Sequence, residues 1–347
     1  MSRVYLDWNA TAPLRPEARR AMVAAMDVLG NPSSVHGEGR KARAIVENAR
    51  RDIATAFGAN DGDIIFTASA TEAAALALAG RGLVSSATEH ACVSSWTQSD
   101  LTCDHNGRIS VEDPAMSALQ CANSETGVLQ TMPKGLALGD CVQGFGKIPM
   151  AFDWAQMDMA ILSAHKLGGP KGVGALVVRK GVDIKAQISG GGQEMGRRAG
   201  TENTIGIAGF AAAATATARD LETGVWDKVR EMRDALETRL LSEAEDIVVF
   251  GRETKRLPNT SYFSAPGWKG ETQVMQMDMA GFAVSAGSAC SSGKIRPSQV
   301  LLAMGLDENT ASSAIRVSIG PTTTLDQLMR FADQWLAAKR RFQARAA

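Results

Sequence analysis

The sequence predicts an α/β protein in which a large domain with a mainly parallel sheet is followed by a smaller α+β domain. Segments of strand length alternate with helical segments through the first two thirds of the chain, which is typical of a parallel sheet covered on both faces. After residue 241, strands and helices occur without that alternation. The 347 residues can fill two cores, and we expect a large domain at 16–240 and a small domain at 241–347.

Apolar spacing and end signals place the individual elements. Residues 16–29 start with proline, and 37–57 carry apolar side chains on one helical face before Gly58 ends the segment. Strands are expected at 63–67, 82–86, 136–139, 159–163 and 173–179, with a helix at 70–79 and one long helix at 204–241. The small domain should contain strands near 247–250, 259–263 and 314–318, and helices near 271–280 and from 325 onward.

Composition excludes several classes of protein. The chain has 37 Lys and Arg against 37 Asp and Glu, so we expect no nucleic-acid partner and no binding to an acidic membrane surface. No apolar run reaches the roughly 18 residues of a membrane span, and the N-terminus has no apolar signal segment. Five cysteines without a C-x-x-C pair favour neither disulfides nor structural zinc. We expect a reduced, soluble, cytoplasmic protein.

Polar side chains follow several of the predicted strands at the point where each strand ends. Ligands of open α/β sheets bind beyond the carboxyl ends of strands, so these side chains are candidate site residues. They are Thr71 and Glu72 after the first strand, Asp140 and Gln143 after 136–139, and Ser163, His165 and Lys166 at the end of 159–163.

The order of features around Lys166 suits a lysine that holds an aldehyde cofactor as an imine. An aspartate is followed by a strand, then by Ser-x-His-Lys and a glycine run. Asp140 would keep a pyridine nitrogen protonated, which makes the ring an electron sink. The backbone N–H groups of Thr71 and Glu72, at a helix start, would bind a phosphate. Each residue taken alone has an ordinary interpretation: Thr71 as an N-cap, Asp140 as a turn residue and Lys166 as a solvated lysine. The occurrence of all three in this order favours the cofactor site.

Cys290 lies in a segment of small residues, Ser-Ala-Gly-Ser-Ala-Cys-Ser-Ser-Gly. Such neighbours make a poor core and are typical of a flexible loop. Lys294 and Arg296 are close in sequence and favour the thiolate. We interpret Cys290 as a mobile sulfur nucleophile and the other four cysteines as structural.

These motifs, in this order, resemble the NifS/IscS-type cysteine desulfurases, pyridoxal-phosphate (PLP) enzymes of aminotransferase fold type I, class V. The resemblance covers nearly the whole chain and implies a sheet of the seven-stranded type, with residues 1–15 joining the small domain. It is carried by Asn9-Ala10-Thr11, Gly30-Asn31-Pro32, Ala70-Thr71-Glu72, Thr88-Glu89-His90, Glu125-Thr126-Gly127, Asp140-x-x-Gln143, Ser163-Ala164-His165-Lys166, Arg198-Ala199-Gly200-Thr201, Gly287-Ser288-Ala289-Cys290 and Ile315-Arg316.

The resemblance implies a role for each matching residue in converting L-cysteine to L-alanine. In catalysis, Lys166 would carry PLP and act as acid and base, His90 would stack on the ring and assist proton transfer, and Cys290 would take the sulfur as a persulfide. The cofactor would be bound by Asp140 at the ring nitrogen, Gln143 at the ring hydroxyl, Thr71, Ser163 and His165 at the phosphate, and also by Glu72 and Ser124. Substrate contacts would come from Arg316 at the carboxylate and from Asn31 and Ser124.

The resemblance also implies partners. Thr201 would contact the cofactor phosphate of a neighbouring subunit, which predicts a homodimer. The persulfide would pass to a sulfur acceptor or an iron–sulfur scaffold protein for cluster or thio-cofactor assembly. No resident metal is expected, although Cys290 is a candidate transient cluster ligand.

The chain departs from the family pattern at several positions. Ser124 stands where an asparagine is usual, and eight residues separate Gly127 from Leu136 where the family has a crossover helix. Two alternatives therefore stay open: a selenocysteine lyase or other class V enzyme that does not need the thiol, and a degenerate homologue acting as a regulatory or binding subunit.

Overall fold

The computed structural model describes residues 3–244, 246–287 and 297–346. In chain order its strands are β1 (Val4–Tyr5), β2 (Gly62–Thr67), β3 (Val84–Ser86), β4 (Gln98–Leu101), β5 (Ala118–Gln120), β6 (Leu138–Asp140), β7 (Met159–Ser163), β8 (Gly174–Arg179), β9 (Val248–Val249), β10 (Thr260–Ser264), β11 (Phe282–Ala283) and β12 (Ala314–Ser318). The α-helices are α1 (Pro16–Met26), α2 (Gly37–Phe57), α3 (Ala70–Leu78), α4 (Ala91–Ser94), α5 (Phe152–Ala155), α6 (Thr204–Glu222), α7 (Val225–Glu243), α8 (Gly270–Met279), α9 (Gln299–Ala303), α10 (Glu308–Ser312) and α11 (Leu325–Ala346).

The central sheet has the strand order β2-β8-β7-β6-β5. A parallel bridge between Val84 and Ser117 adds the parallel pair β3-β4 beyond β5, so that seven strands lie side by side. β8 runs antiparallel to both of its neighbours, and the other pairs are parallel. The predicted α/β architecture with a mainly parallel sheet is confirmed.

Alternate side chains of the sheet enter two cores, one on each face. On β7, Ala160 and Leu162 pack into the core shared with α2 and α6, whereas Ile161 packs into the core shared with α3. Every residue of β7 is buried, which explains its continuous apolar sequence. Because helices cover both faces, a ligand can approach this sheet at the ends of its strands.

Helix α2 follows directly from its sequence. Val46, Ala49, Ile53 and Phe57 are buried along one face. Gly58 ends the helix with a φ of 60°, a left-handed conformation that glycine adopts without strain. The predicted helix at 37–57 is confirmed.

The helix expected at 204–241 is two helices, α6 and α7, so the prediction of a single helix is wrong. Gly224 separates them at φ 69° and ψ 21°, and this left-handed backbone cannot continue an α-helix. Phe210 of α6 packs against the large sheet, whereas Trp226 and Leu236 of α7 pack with the small-domain strands. The domain boundary at residue 240 stays a proposal. Because α7 packs with the small-domain strands, the packing favours a boundary at Gly224 instead.

Two strands of the sheet carry no clear sequence pattern. β4 reads Gln-Ser-Asp-Leu and is largely exposed at the sheet edge, and β5 has only three residues. The connection from β5 to β6, residues 121–137, contains no helix. Two contacts hold this connection in place. The Asn123 N–H donates to the Val128 carbonyl at 2.9 Å and closes a turn, and Val128 forms a β-bridge with Arg256. An irregular segment therefore makes the parallel crossover.

The second core is built from the sheet β12-β10-β9 with α7, α8 and α11. The Trp268 and Trp335 rings, 5.5 Å apart, lie at its centre. β1 pairs in parallel with β11, and Val4 and the following Leu6 are buried in this core, which supports the proposal that residues 1–15 join the small domain. Within the described part of the chain, no helix is both long and apolar enough to cross a membrane.

Candidate functional site

Lys166 lies just beyond the carboxyl end of β7, at the end of a short 3-10 turn. Its Nζ donates to the backbone carbonyl of Asn9 at 2.6 Å and to that of Ala10 at 2.9 Å. The N-terminal segment thus crosses from the small-domain core to the end of the sheet. These two carbonyls fix the amine at the place where the sequence predicts a cofactor.

Asp140 ends β6 beside Lys166 and is 8% exposed. One carboxylate oxygen accepts the Val142 N–H at 2.9 Å. Burial raises the pKa of Asp140, while the Val142 N–H, His90 and Lys166 oppose that rise by favouring the charged form. The structure therefore brings Asp140, His90 and Lys166 together, although they come from three separate segments.

Gln143 is buried one turn after Asp140. Its Nε2 donates to the Asn9 carbonyl at 3.0 Å, the same carbonyl that accepts from Lys166. Its Oε1 accepts from the Nζ of Lys147 at 2.8 Å. Because Lys147 is a donor only, this bond assigns the oxygen to that side and turns the amide NH2 toward Asn9.

His90 is the N-cap of α4, where its Nδ1 accepts the Cys92 N–H at 3.1 Å. In the neutral ring the proton is therefore on Nε2. The preceding residue, Glu89, is fully buried and accepts the Gln120 N–H on one oxygen at 2.7 Å, while its Oε2 has no partner among the described residues. Burial first and Asp140 second raise its pKa well above the usual range, which favours a neutral carboxyl.

The start of α3 differs from the sequence expectation. The N-cap is Ser69, whose Oγ accepts the Glu72 N–H at 3.2 Å. The Glu72 carboxylate binds Arg198 at 2.7 Å and accepts the Ala68 N–H at 2.7 Å. The Glu72 N–H is thus occupied by the helix cap, while the cofactor-binding role predicted for Glu72 stays a prediction. Thr71 is exposed in the first turn, where backbone N–H groups lack helical partners.

Glycine at position 174 brings the end of the sheet close to the α3 N-terminus. A Cβ there would lie 2.6 Å from the Ser69 carbonyl carbon and 2.8 Å from the Ala70 nitrogen. Ser163, paired with Gly174 in the sheet, is buried. Ser163 and the α3 N-terminus thus face the same end of the sheet, as a phosphate site would need.

His165 is partly buried, and its Nδ1 lies 3.2 Å from the Thr11 hydroxyl. Burial first, then Lys166, Lys171 and Lys147, lower the pKa of His165 to about 4. The ring is therefore neutral at pH 7, where it can donate one hydrogen bond to an anion.

We expect this histidine to reduce stability in acid. Folding lowers the pKa of His165 from 6.5 to about 4. The neutral ring therefore makes its full contribution to the free energy of unfolding above pH 6.5, and this contribution is lost as the pH falls toward 4. In urea unfolding of cofactor-free protein, the stability difference between wild type and His165→Gln should shrink by about 1 kcal/mol over that range, allowing for partial exposure. The exposed His105→Gln is the control, and a pH-independent difference would contradict the prediction.

Thr201 is exposed on a loop that three ion pairs hold to the large domain. Glu194 pairs with Arg50 at 2.9 Å, Arg197 with Asp63 at 2.9 Å, and Arg198 with Glu72 at 2.7 Å. The loop is therefore a fixed surface feature next to the α3 N-terminus.

Arg316 on β12 faces the same region from the small domain and is 5% exposed. One terminal nitrogen donates to the Ser124 carbonyl and the other to the Asp7 carboxylate, both at 2.8 Å. Its Nε is buried with no hydrogen-bond partner in the described part of the structure, so the guanidinium keeps an unused donor there for a carboxylate. Asn31 is exposed, and its side chain accepts the Ser33 N–H.

Cys290 falls at 288–296, outside the described residues. The flanks on both sides are described. Ser285 exchanges two backbone hydrogen bonds with Arg316, at 2.7 and 3.1 Å, and the Ser298 hydroxyl donates to Glu125 at 2.5 Å. Both flanks therefore attach beside Arg316 and the 124–125 segment. Among the described residues, no cluster of His, Cys, Asp and Glu is placed to hold a metal ion.

Asn9 is a site residue that sequence reasoning missed. Its backbone carbonyl accepts hydrogen bonds from Lys166 and Gln143. Its side-chain Oδ1 accepts from Lys147 and Asn259. Its side-chain Nδ2 donates to the Ser124 carbonyl and to the Thr260 hydroxyl. It thereby connects the large-domain amine to the segment that Arg316 contacts. In the sequence, only the Asn9-Ala10-Thr11 motif indicates that this segment belongs to the site. The motif contains no charged group and no strong nucleophile that would predict a function for Asn9.

The chain belongs to the aminotransferase class-V family, whose profile matches residues 4–331. That result confirms the resemblance predicted from the motifs, and with it PLP as the cofactor. It is 39% identical to a cysteine desulfurase of Cereibacter sphaeroides, over 95% of this chain and 94% of the relative. It is 35% identical to the cysteine desulfurase IscS of Dictyoglomus turgidum, over 94% of this chain and 91% of the relative.

Solved structures agree with the fold. A NifS-like protein from Rickettsia africae superposes with a TM-score of 0.88 at 29% identity, covering 97% of this chain and 99% of that one. SspA in complex with cysteine gives a TM-score of 0.75 at 26% identity, covering 92% and 100%. These neighbours confirm PLP fold type I.

Proposed function

We propose that this chain converts L-cysteine to L-alanine with PLP and that the sulfur passes to Cys290 as a persulfide. The curated relatives confirm the enzyme class predicted from the motifs, a PLP-dependent cysteine desulfurase. One observation supports the residue assignment above all others. Lys166, Asp140 and His90 lie at the carboxyl ends of the strands, and both His90 and Lys166 favour the charged form of Asp140.

The side chains present fit PLP. Asp140 is a buried carboxyl whose charged form is favoured by the Val142 N–H, His90 and Lys166, which suits a protonated pyridine nitrogen. The Gln143 amide NH2 faces the same space as the amine of Lys166, and the start of α3 offers backbone N–H groups for a phosphate. The buried, unpaired Arg316 Nε suits the carboxylate of an amino-acid substrate.

Each residue then has a role that follows from its contacts. When bound, the cofactor supplies an electron sink for the substrate α-carbon. Lys166 would hold the cofactor and, with substrate present, move a proton at the α-carbon. Asp140 would hold the proton on the ring nitrogen, and His90, with its proton on Nε2, would assist proton transfer.

The sulfur step balances without an external oxidant. The Cys290 thiolate attacks the substrate sulfur, and a bond forms between the two sulfur atoms. The carbon–sulfur bond breaks, its electron pair stays with the substrate carbon, and a proton converts that carbon to the methyl group of alanine. Arg316 would hold the substrate carboxylate during this step.

We further propose a cytoplasmic homodimer that hands its persulfide to a sulfur acceptor or iron–sulfur scaffold. The exposed Thr201 on its ion-paired loop supports a contact with a second subunit, and the free thiols of the described cysteines support a reducing compartment. The two competing functions, a lyase without a catalytic thiol and a regulatory subunit, are not favoured by the comparisons.

The test is a visible spectrum of the purified protein. Cofactor bound to Lys166 should give an absorbance band that L-cysteine bleaches or shifts, together with stoichiometric L-alanine and, with a reductant, sulfide. A protein that binds no PLP, or whose band ignores L-cysteine, would overturn the proposed function.

Ser124→Asn should tighten L-cysteine binding or raise turnover by up to about tenfold. The Ser124 carbonyl is already fixed by Asn9 and Arg316, so the longer side chain would add an amide at the substrate edge, where one hydrogen bond contributes about 1 kcal/mol. Steady-state kinetics with L-cysteine decide it, with Ser124→Ala as the matched control. A loss of activity would show that the pocket has been rebuilt around serine.

A further inference from the structure

Lys147 is a second lysine at the candidate site, and the mechanism above does not use it. It is 4% exposed and follows Gln143 by one turn. No carboxylate within the described residues forms an ion pair with it. A buried ammonium without a counter-ion is costly, and such groups are concentrated at functional sites.

Its contacts lead to the amine of Lys166 in two steps. The Lys147 Nζ donates to Gln143 Oε1 at 2.8 Å and to Asn9 Oδ1 at 3.4 Å. Gln143 Nε2 in turn donates to the Asn9 carbonyl, which also accepts from Lys166. The two amines are thus joined through one glutamine and one asparagine.

The charges around Lys147 are mostly positive. Burial first, then Lys166 and Arg316, lower its pKa to about 7, and Cys121 acts in the opposite direction. The other groups that contact it, Gln143 and Asn9, are neutral. Since electrostatic interaction is reciprocal, the charge of Lys147 also disfavours an ammonium on Lys166.

We propose that Lys147 is a positioning residue for the cofactor-binding lysine. It holds the Gln143 amide with its NH2 toward the cofactor space, and its positive charge favours the uncharged Lys166 amine, the form that reacts with a carbonyl. This inference rests on the proposed role of Lys166.

The test is the rate at which cofactor-free protein takes up PLP, followed by absorbance from pH 6 to pH 10. Lys147→Met removes the charge and the donor. At pH 6.5 its uptake should be about 5–10-fold slower than wild type, because most of the Lys147 charge is present there in the wild type and increases the uncharged fraction of Lys166. Above pH 9, where wild-type Lys147 is uncharged, the two rates should converge.

Three further variants keep the result interpretable. Lys147→Arg retains the charge and should stay within about twofold of wild type at pH 6.5. Lys147→Gln is the second neutral variant if the methionine does not fold. Lys339→Met removes another 4%-exposed lysine, paired with Asp246 in the small domain, and should leave the profile unchanged.

Two outcomes overturn the proposal: a wild-type uptake rate at pH 6.5 in both neutral variants, or a rate reduced equally at every pH, which indicates only a packing role. Borohydride trapping separates this from the proposed function. An adduct on Lys166 with an unshifted profile rejects the role of Lys147 alone, whereas no adduct on Lys166 in the wild type rejects the site itself.

Discussion

Lys166→Ala is expected to abolish the visible absorbance of the bound cofactor and to lower L-alanine formation more than about 1,000-fold. The substitution removes both the covalent attachment and the acid–base group, and an acid–base group alone contributes 100- to 10,000-fold. The structure gives the reason for choosing this lysine. It follows a buried strand, acts on Asp140, and is held by the Asn9 and Ala10 carbonyls.

Two other lysines are close enough to serve as controls. Lys171 is exposed five residues later, and Lys147 is buried against Gln143. Borohydride reduction followed by peptide mapping should place the adduct on Lys166 alone, and Lys171→Ala should retain the band. An adduct on Lys147 or Lys171 would show that the site assignment is wrong.

The parts of the fold that the sequence predicts are those with strong local patterns. α2 and β7 have the expected bounds, because a one-sided apolar face and a continuous apolar run each define one structure. β4 was missed because an exposed edge strand needs no apolar residues. The single helix at 204–241 failed because one left-handed residue, Gly224, redirects the chain while the helical pattern continues on either side.

The candidate site divides along similar lines. Lys166, Asp140 and Gln143 are recognisable because each is a reactive or charged group placed just after a strand. Asn9 was missed because its role depends on contacts far away in sequence: its backbone carbonyl accepts from Lys166, and its side chain donates to the Ser124 carbonyl and to Thr260. Lys147 is not recognisable from the sequence, since nothing local shows that its amine donates to Gln143.

Cys290→Ser is expected to retain the cofactor band and its response to L-cysteine while sulfide release falls at least about 100-fold. The thiol acts only after the substrate is activated, so binding and sulfur transfer should separate. Three of the four described cysteines are poor substitutes. Burial raises the pKa of Cys92 and Cys141, and raises that of Cys103 to about 11, so these thiols are largely protonated at neutral pH.

The positions of the flanks support Cys290 as the acceptor. Ser285 is paired with Arg316, the proposed carboxylate-binding residue, and Ser298 is bonded to Glu125 next to Ser124. The described residues on either side of 288–296 therefore lie beside Arg316 and Glu125, at the proposed substrate end of the site. Mass spectrometry after a single turnover should find the added sulfur on the Cys290 peptide, and Cys103→Ser should behave as wild type. Undiminished L-alanine and sulfide formation by Cys290→Ser would reject the persulfide step and favour direct lyase chemistry.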